Sequence, residues 1–99
     1  PAQAGGLRRA RRLLGLAEAA QIPALLGSTV ELGIGTAAAL HVAATSPAVT
    51  WPSDLIGPGL LTADVVEPAM TYVSGQLSTP PGSGLGVRLS PEALQRWQA

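Results

Sequence analysis

Cysteine and phenylalanine are absent from this 99-residue chain, and two Trp and one Tyr are its only aromatic residues. Without cysteine there is neither a disulfide framework nor a thiolate zinc site, and the single His41 cannot build a metal site alone. Any core has to be assembled from Leu, Val, Ile and Ala. Charge of one sign is lacking too: six basic and six acidic side chains give a net charge of zero, which argues against a strongly basic nucleic-acid binder and against an acidic disordered tail. Long hydrophobic runs are also missing. The longest, residues 34–45, is interrupted by His41 and falls far short of the roughly 20 residues a membrane span needs, and no signal-peptide pattern opens the chain. A soluble, cytoplasmic protein is expected.

What the chain has in plenty is Gly and Pro, twelve and nine residues, so turns are frequent. Leu7, Ala10, Leu13, Leu14 and Ala17 recur at helical spacing in a stretch broken only by Gly15, which predicts one amphipathic helix over 7–20. Gln21-Ile22-Pro23 stops it. Ala24-Leu25-Leu26 is then a short apolar run closed by Gly27-Ser28, the pattern of a strand buried on both faces of a parallel sheet. The unit repeats: Gly33-Ile34-Gly35-Thr36 opens a helix over 37–44, Ser46-Pro47 ends it, and Ala48-Val49-Thr50-Trp51 is the next short strand. Alternating helices and buried strands predict a parallel sheet or barrel. Two such units cannot cover both faces of their own strands. A (β/α)8 barrel needs eight strands over ~250 residues, so the chain corresponds to about a quarter of one, and its start at Pro1 rather than Met fits that expectation.

Beyond Asp54 the pattern changes. Gly57-Pro58-Gly59 reads as a turn, residues 60–66 are apolar with Asp64 interrupting, and Glu67-Pro68 closes that stretch. Residues 72–77 read as a strand around a turn, and residues 80–86 are too rich in Pro and Gly for helix or strand. Ser90-Pro91-Glu92 is a good helix start, with Ser as N-cap, Pro at the first helical position and an acid in the first turn, predicting a last helix over 91–98.

Three segments carry a resemblance that covers essentially the whole chain. The run GGLRRARRLLGLAEAAQIPALLGSTVELGIGTAAALHVA resembles the helix after barrel strand six, strand seven and the following helix of muconate lactonizing enzymes of the enolase superfamily. WPSDLIGPGLLTADVV resembles their strand eight and the helix after it, and PPGSGLGVRLSPEALQRW resembles their closing segment. The resemblance implies an α/β fold, the carboxy-terminal part of a TIM-like (β/α)8 (modified β7α) barrel from helix six to strand eight plus an extension. Residues 1–72 are expected to be barrel and residues 73–99 an extension packing back on the barrel or the capping domain. Implied with it is an enzyme that abstracts a proton alpha to a carboxylate and stabilises the enediolate on Mg (or Mn), with lysine acid/base groups. The metal ligands and lysines of that pattern lie on earlier strands, and this chain contains no lysine. It is expected to be inactive alone and to need the remainder of the barrel and the capping domain, in an enzyme that is a homo-oligomer when complete.

In a TIM barrel the chemistry sits at the carboxy-terminal ends of the strands. The informative positions are therefore those after Leu26 and after Trp51. The resemblance places Asp54 where muconate lactonizing enzymes carry a Glu at the end of strand eight. A carboxyl there suits a hydrogen bond to the developing enediolate if protonated, or a grip on a cationic group if ionised. The change from Glu to Asp shortens its reach, which counts against true muconate cycloisomerase activity. Asp54 is thus the candidate catalytic residue, the alternative being a turn or N-cap residue before Gly57. Ile56 stands where dipeptide epimerases show a second acid, which lowers the epimerase reading and makes it a candidate substrate contact. Ser28, Thr29 and Glu31 are the further substrate-binding candidates. Against them stand ordinary turn chemistry for Ser28 and Thr29, and for Glu31 an acid interacting with the dipole of the next helix. His41 is read as a packed structural residue, and Arg8, Arg9, Arg11 and Arg12 as a solvated helix face. Gly33 and Gly35 do not make a dinucleotide fingerprint, because the third Gly is missing.

Two classes of function stay open. One is a cycloisomerase-like enzyme acting on a small carboxylate, with N-acylamino acid racemase or o-succinylbenzoate synthase chemistry as its variant. The other is a non-catalytic fragment or helical module with the Arg-rich helix as its binding face. Neither nucleic acid nor membrane is expected as a partner.

Overall fold

The computed structural model describes residues 1–98. Helix α1 spans Leu7–Ala19 and buries only Ala10. Arg8, Arg9, Arg11 and Arg12 are all exposed, as a solvated face requires. The helix stops where the sequence says it should. Gln21 takes a left-handed φ of 57°, its N–H donates to the Glu18 carbonyl, and the Ile22 N–H reaches back to the Ala17 carbonyl at 2.8 Å. This Schellman closure satisfies two of the orphan carbonyls of the last turn.

Residues 24–26 and 48–51 run side by side in parallel. The Ala24 N–H donates to Ala48 O at 2.8 Å, the Trp51 N–H to Ala24 O at 3.4 Å, and the Asp54 N–H to Leu26 O at 2.8 Å. The ladder amounts to one parallel bridge, Ala24 to Val49, not two full strands. Pro52 has no N–H to give, and the Leu26 N–H goes to Ser53 Oγ at 3.1 Å instead of to a backbone carbonyl.

Helix α2, Gly33–Ala44, is apolar all round, burying Gly33, Thr36, Ala37, Ala39, Leu40 and Val42. That is the signature of a helix packed on several sides. Together with Ala10, Leu26 and Leu55, its Ala39, Leu40 and Val42 form the core, with Leu14, Met70 and Leu77 packed around it. His41 sets its Nε2 3.1 Å from the Leu85 carbonyl and ties the Pro- and Gly-rich stretch to α2.

The Gly57-Pro58-Gly59 turn is one turn of helix, α3, Gly57–Leu60. Strand β1, Val66–Glu67, pairs antiparallel with β4, Arg88–Leu89, a pairing with no periodic signal because each strand has two residues. Between them, the expected strand around a turn is an antiparallel hairpin of β2 (Tyr72–Val73) and β3 (Gln76–Leu77), with Ser74 and Gly75 at φ of 50° and 74°. Two successive left-handed residues match the twist of a two-residue hairpin loop. Helix α4, Pro91–Arg96, ends two residues earlier than the predicted span, and Ser90 caps it by accepting the Ala93 N–H at 3.4 Å. No helix among the described residues is long and apolar enough to cross a membrane.

Candidate functional site

The bond from the Asp54 N–H to Leu26 O brings the ends of the two parallel segments level, so the turn after Leu26 and the loop after Trp51 share one edge. On the first of these, Ser28 Oγ donates to Glu31 Oε2 at 2.6 Å. Thr29 donates twice to Glu31 Oε1, from its N–H at 3.0 Å and from Oγ1 at 3.2 Å. The Val30 N–H donates to Ser28 Oγ at 3.0 Å. Partial burial is the largest single influence on the Glu31 carboxyl and pushes its pKa up. Hydrogen bonds from Ser28, the Thr29 and Glu31 amides and Thr29 Oγ1 together outweigh it and hold the pKa below the ordinary 4.5.

The sequence names this turn as a candidate for substrate contact, with an acid near the start of the next helix as the alternative reading of Glu31. Glu31 does not lie in the first turn of α2, which holds no acid; its carboxylate folds back onto Ser28 and Thr29. Val30 pays for this turn with a φ of 60°, a left-handed conformation that costs a β-branched residue about 1–3 kcal/mol. Beside the turn lies a groove of about 260 Å³ lined by residues 1–4, Leu25, Leu26, Gly27, Ser28, Thr29 and Glu31.

Asp54 is exposed, and its carboxylate makes no hydrogen bond among the described residues. The N-cap alternative fails for it: the N-cap of α3 is Ile56, with no side-chain cap. Ile56 is exposed and, like Asp54, is not part of the groove lining. The structure therefore gathers Ser28, Thr29 and Glu31 into one hydrogen-bonded cluster and leaves Asp54 and Ile56 on the neighbouring loop.

Two residues that position this edge carried no recognisable sequence signal. Asp64, noted only as an interruption in an apolar run, accepts the Gly33 N–H on both carboxylate oxygens, at 3.0 and 2.9 Å, and the Val65 N–H at 2.7 Å. It supplies the cap that α2 lacks, since Leu32 has no side chain to do so. Tyr72 donates its hydroxyl to Leu55 O at 2.6 Å and pins the loop that holds Asp54. Burial pushes the Tyr72 phenol up; the Gly59 amide opposes this and the charge of Asp64 adds to it. No group of three or more His, Asp or Glu among the described residues is placed to hold a metal ion. Among the described residues, those present do not by themselves make a site for a magnesium or manganese ion.

Known proteins share this fold over nearly the full length of the chain. The chain is 36% identical over 93 residues to muconate cycloisomerase 1 of Rhodococcus opacus, covering 94% of this chain and 25% of that enzyme. To muconate cycloisomerase 1 of Pseudomonas putida it is 38% identical over 96 residues, 97% of this chain and 26% of the relative. The crystal structure of a muconate lactonizing enzyme from Klebsiella pneumoniae superposes with a TM-score of 0.90 at 36% identity, over 99% of this chain and 27% of the other. The chain thus spans about a quarter of the length of the curated relatives it matches, and its fold is the carboxy-terminal part of an enolase-superfamily barrel. With residues 1–93 matched by the family model described as enolase C-terminal domain-like, the chain belongs to that family.

Proposed function

We propose that this chain forms the strand-seven and strand-eight side of the active-site mouth of a muconate-cycloisomerase-like enzyme that abstracts a proton alpha to a carboxylate of its substrate. The observation that carries the reading is the 2.8 Å bond from the Asp54 N–H to Leu26 O, which aligns the two strand ends at one edge. That is the edge at which barrel enzymes place their chemistry. In this reading Asp54, exposed and free of hydrogen bonds within the described residues, faces the substrate and, in its protonated form, donates a hydrogen bond to the developing enediolate. Ser28 and Thr29 already donate their hydroxyl protons to Glu31. The three shape one wall of the mouth, and Ile56 offers an apolar wall beside Asp54. Residues 1–72 belong to the barrel. Residues 73–98 form an extension folded back on it, supported by the β1–β4 pairing and by the Ser90 N–H donating to Val65 O at 2.8 Å; Ala99, the last residue of the expected extension, lies outside the described residues.

The exposure of Leu13, Leu16, Ile22 and Leu25 fits a piece whose apolar faces are covered by the remaining barrel. The acid/base lysines, the magnesium or manganese ligands and the capping domain belong to that remainder, as does any homo-oligomeric contact. The test is a composite enzyme in which this chain replaces the matching quarter of the R. opacus muconate cycloisomerase. The composite should turn over muconate, more slowly than the R. opacus enzyme because Asp54 reaches one methylene less far than Glu, and Asp54→Ala should lower kcat by about a further hundredfold, the scale for removing one transition-state hydrogen-bonding group. A folded composite without muconate turnover refutes the proposal; an Asp54→Ala composite with unchanged kcat removes Asp54 from the site.

A further inference from the structure

Glu31 is gripped from two sides by residues that have no side chain. A Cβ on Gly57 would strike the Glu31 carbonyl oxygen and come within 2.9 Å of its nitrogen, so the loop after Asp54 lies flat on the Glu31 backbone. A Cβ on Gly35 would lie 2.9 Å from Glu31 Cβ and 3.3 Å from Cγ, so the first turn of α2 lies against the stem of the same side chain. Two residues after Glu31, the Gly33 N–H is held by both oxygens of Asp64. Gly33 itself has no room for a Cβ, which would meet Asp64 Oδ2 and Val66 Cγ2. The two glycines of the Gly33-Ile34-Gly35 motif are thus accounted for by contacts with Asp64 and Glu31.

A helix cap needs one acceptor. Asp64 spends two oxygens on one N–H and also takes the Val65 N–H at 2.7 Å, tying the start of α2 to the chain just before β1. The turn it anchors contains Val30 at a φ of 60°, and a strained residue persists only where its surroundings over-determine it. We infer that Asp64 is a positioning residue: by fixing Gly33 it holds the Ser28, Thr29 and Glu31 turn against the Asp54 loop, so that the two halves of the mouth move as one body. Its consequence for turnover rests on the function proposed above; its consequence for the turn does not.

The composite enzyme carrying Asp64→Ala or Asp64→Asn separates these. Amide hydrogen exchange reads the turn directly, because the Thr29 and Val30 N–H groups bond to Glu31 Oε1 and Ser28 Oγ. Exchange across residues 28–31 should speed up about tenfold in Asp64→Ala and a few-fold in Asp64→Asn, which keeps one acceptor but loses the charge. Muconate KM should rise in the same order with a smaller change in kcat. Faster exchange confined to α2, with residues 28–31 at the wild-type rate, makes Asp64 a helix cap only and overturns the inference. If Asp64→Ala does not fold, the Asp64→Asn exchange at residues 28–31 decides alone, a wild-type rate again overturning it. A composite that shows the exchange pattern but no muconate turnover upholds the positioning role while the proposed function fails.

Discussion

Replacing Gly57 by Ala tests the closest contact in the candidate site. Gly57 is buried at the first position of α3, directly before Pro58, where an added Cβ gains nothing from helix-interior preference. Any loss must therefore come from the added methyl. That methyl would overlap the Glu31 carbonyl oxygen, and it would stand 2.9 Å from Glu31 N and 3.0 Å from its carbonyl carbon. All three are backbone atoms, which cannot rotate aside as a side chain can. Overpacking of this kind costs about 1–3 kcal/mol. A contact this close belongs near the top of that range, so the loss is about 2–3 kcal/mol, or roughly a 30- to 150-fold shift toward the unfolded state. The control is Gly15→Ala in α1, where the added Cβ has nothing within 4 Å and stability should rise by ~0.5–1 kcal/mol. Denaturant midpoints of the two composite variants against the parent measure both. A Gly57→Ala composite as stable as the parent, alongside a normal Gly15→Ala control, would refute the claim that the two loops are in backbone contact.

Tyr72→Phe removes the hydroxyl that donates to Leu55 O at 2.6 Å and should cost about 1–2 kcal/mol, leaving a carbonyl short of its partner; the same denaturant midpoints check it, and no change would mean that water replaces the bond. For Glu31 the sign follows from its lowered pKa. The carboxylate contributes stability above the ordinary 4.5, and that contribution is lost as pH falls through the depressed folded value. The stability difference between the parent and Glu31→Gln should therefore be largest above pH ~5 and shrink below it. A difference that is flat across this range would show that the Ser28 and Thr29 bonds do not depend on the charge.

Much of the order of elements was legible locally. The 3.6-residue spacing of Leu7, Ala10, Leu14 and Ala17 marked α1, and Gln21-Ile22-Pro23 marked its stop. Residues 72–77 read as a strand around a turn, and Ser90-Pro91-Glu92 marked the start of α4. These signals are local because backbone geometry and capping are decided within one or two turns of chain. The turn after Leu26 was singled out through its place at a strand end, and the order of the three resembling segments pointed to the family.

The tertiary structure alone decided what each site residue touches. Glu31 reads in sequence as an acid at a helix start, yet it binds the two hydroxyls behind it, and the helix start is capped by Asp64 from 31 residues away. Tyr72 bonds a carbonyl 17 residues away, and Gly57 is small because Glu31 lies across it. Such pairings leave no periodicity in the sequence, since each partner is chosen by packing between elements and not by its neighbours in the chain. The sequence by itself determined helix, turn and family; the packing of the loop after Trp51 on the turn after Leu26 determined the geometry of the candidate site, because only folding brings those two backbones into contact.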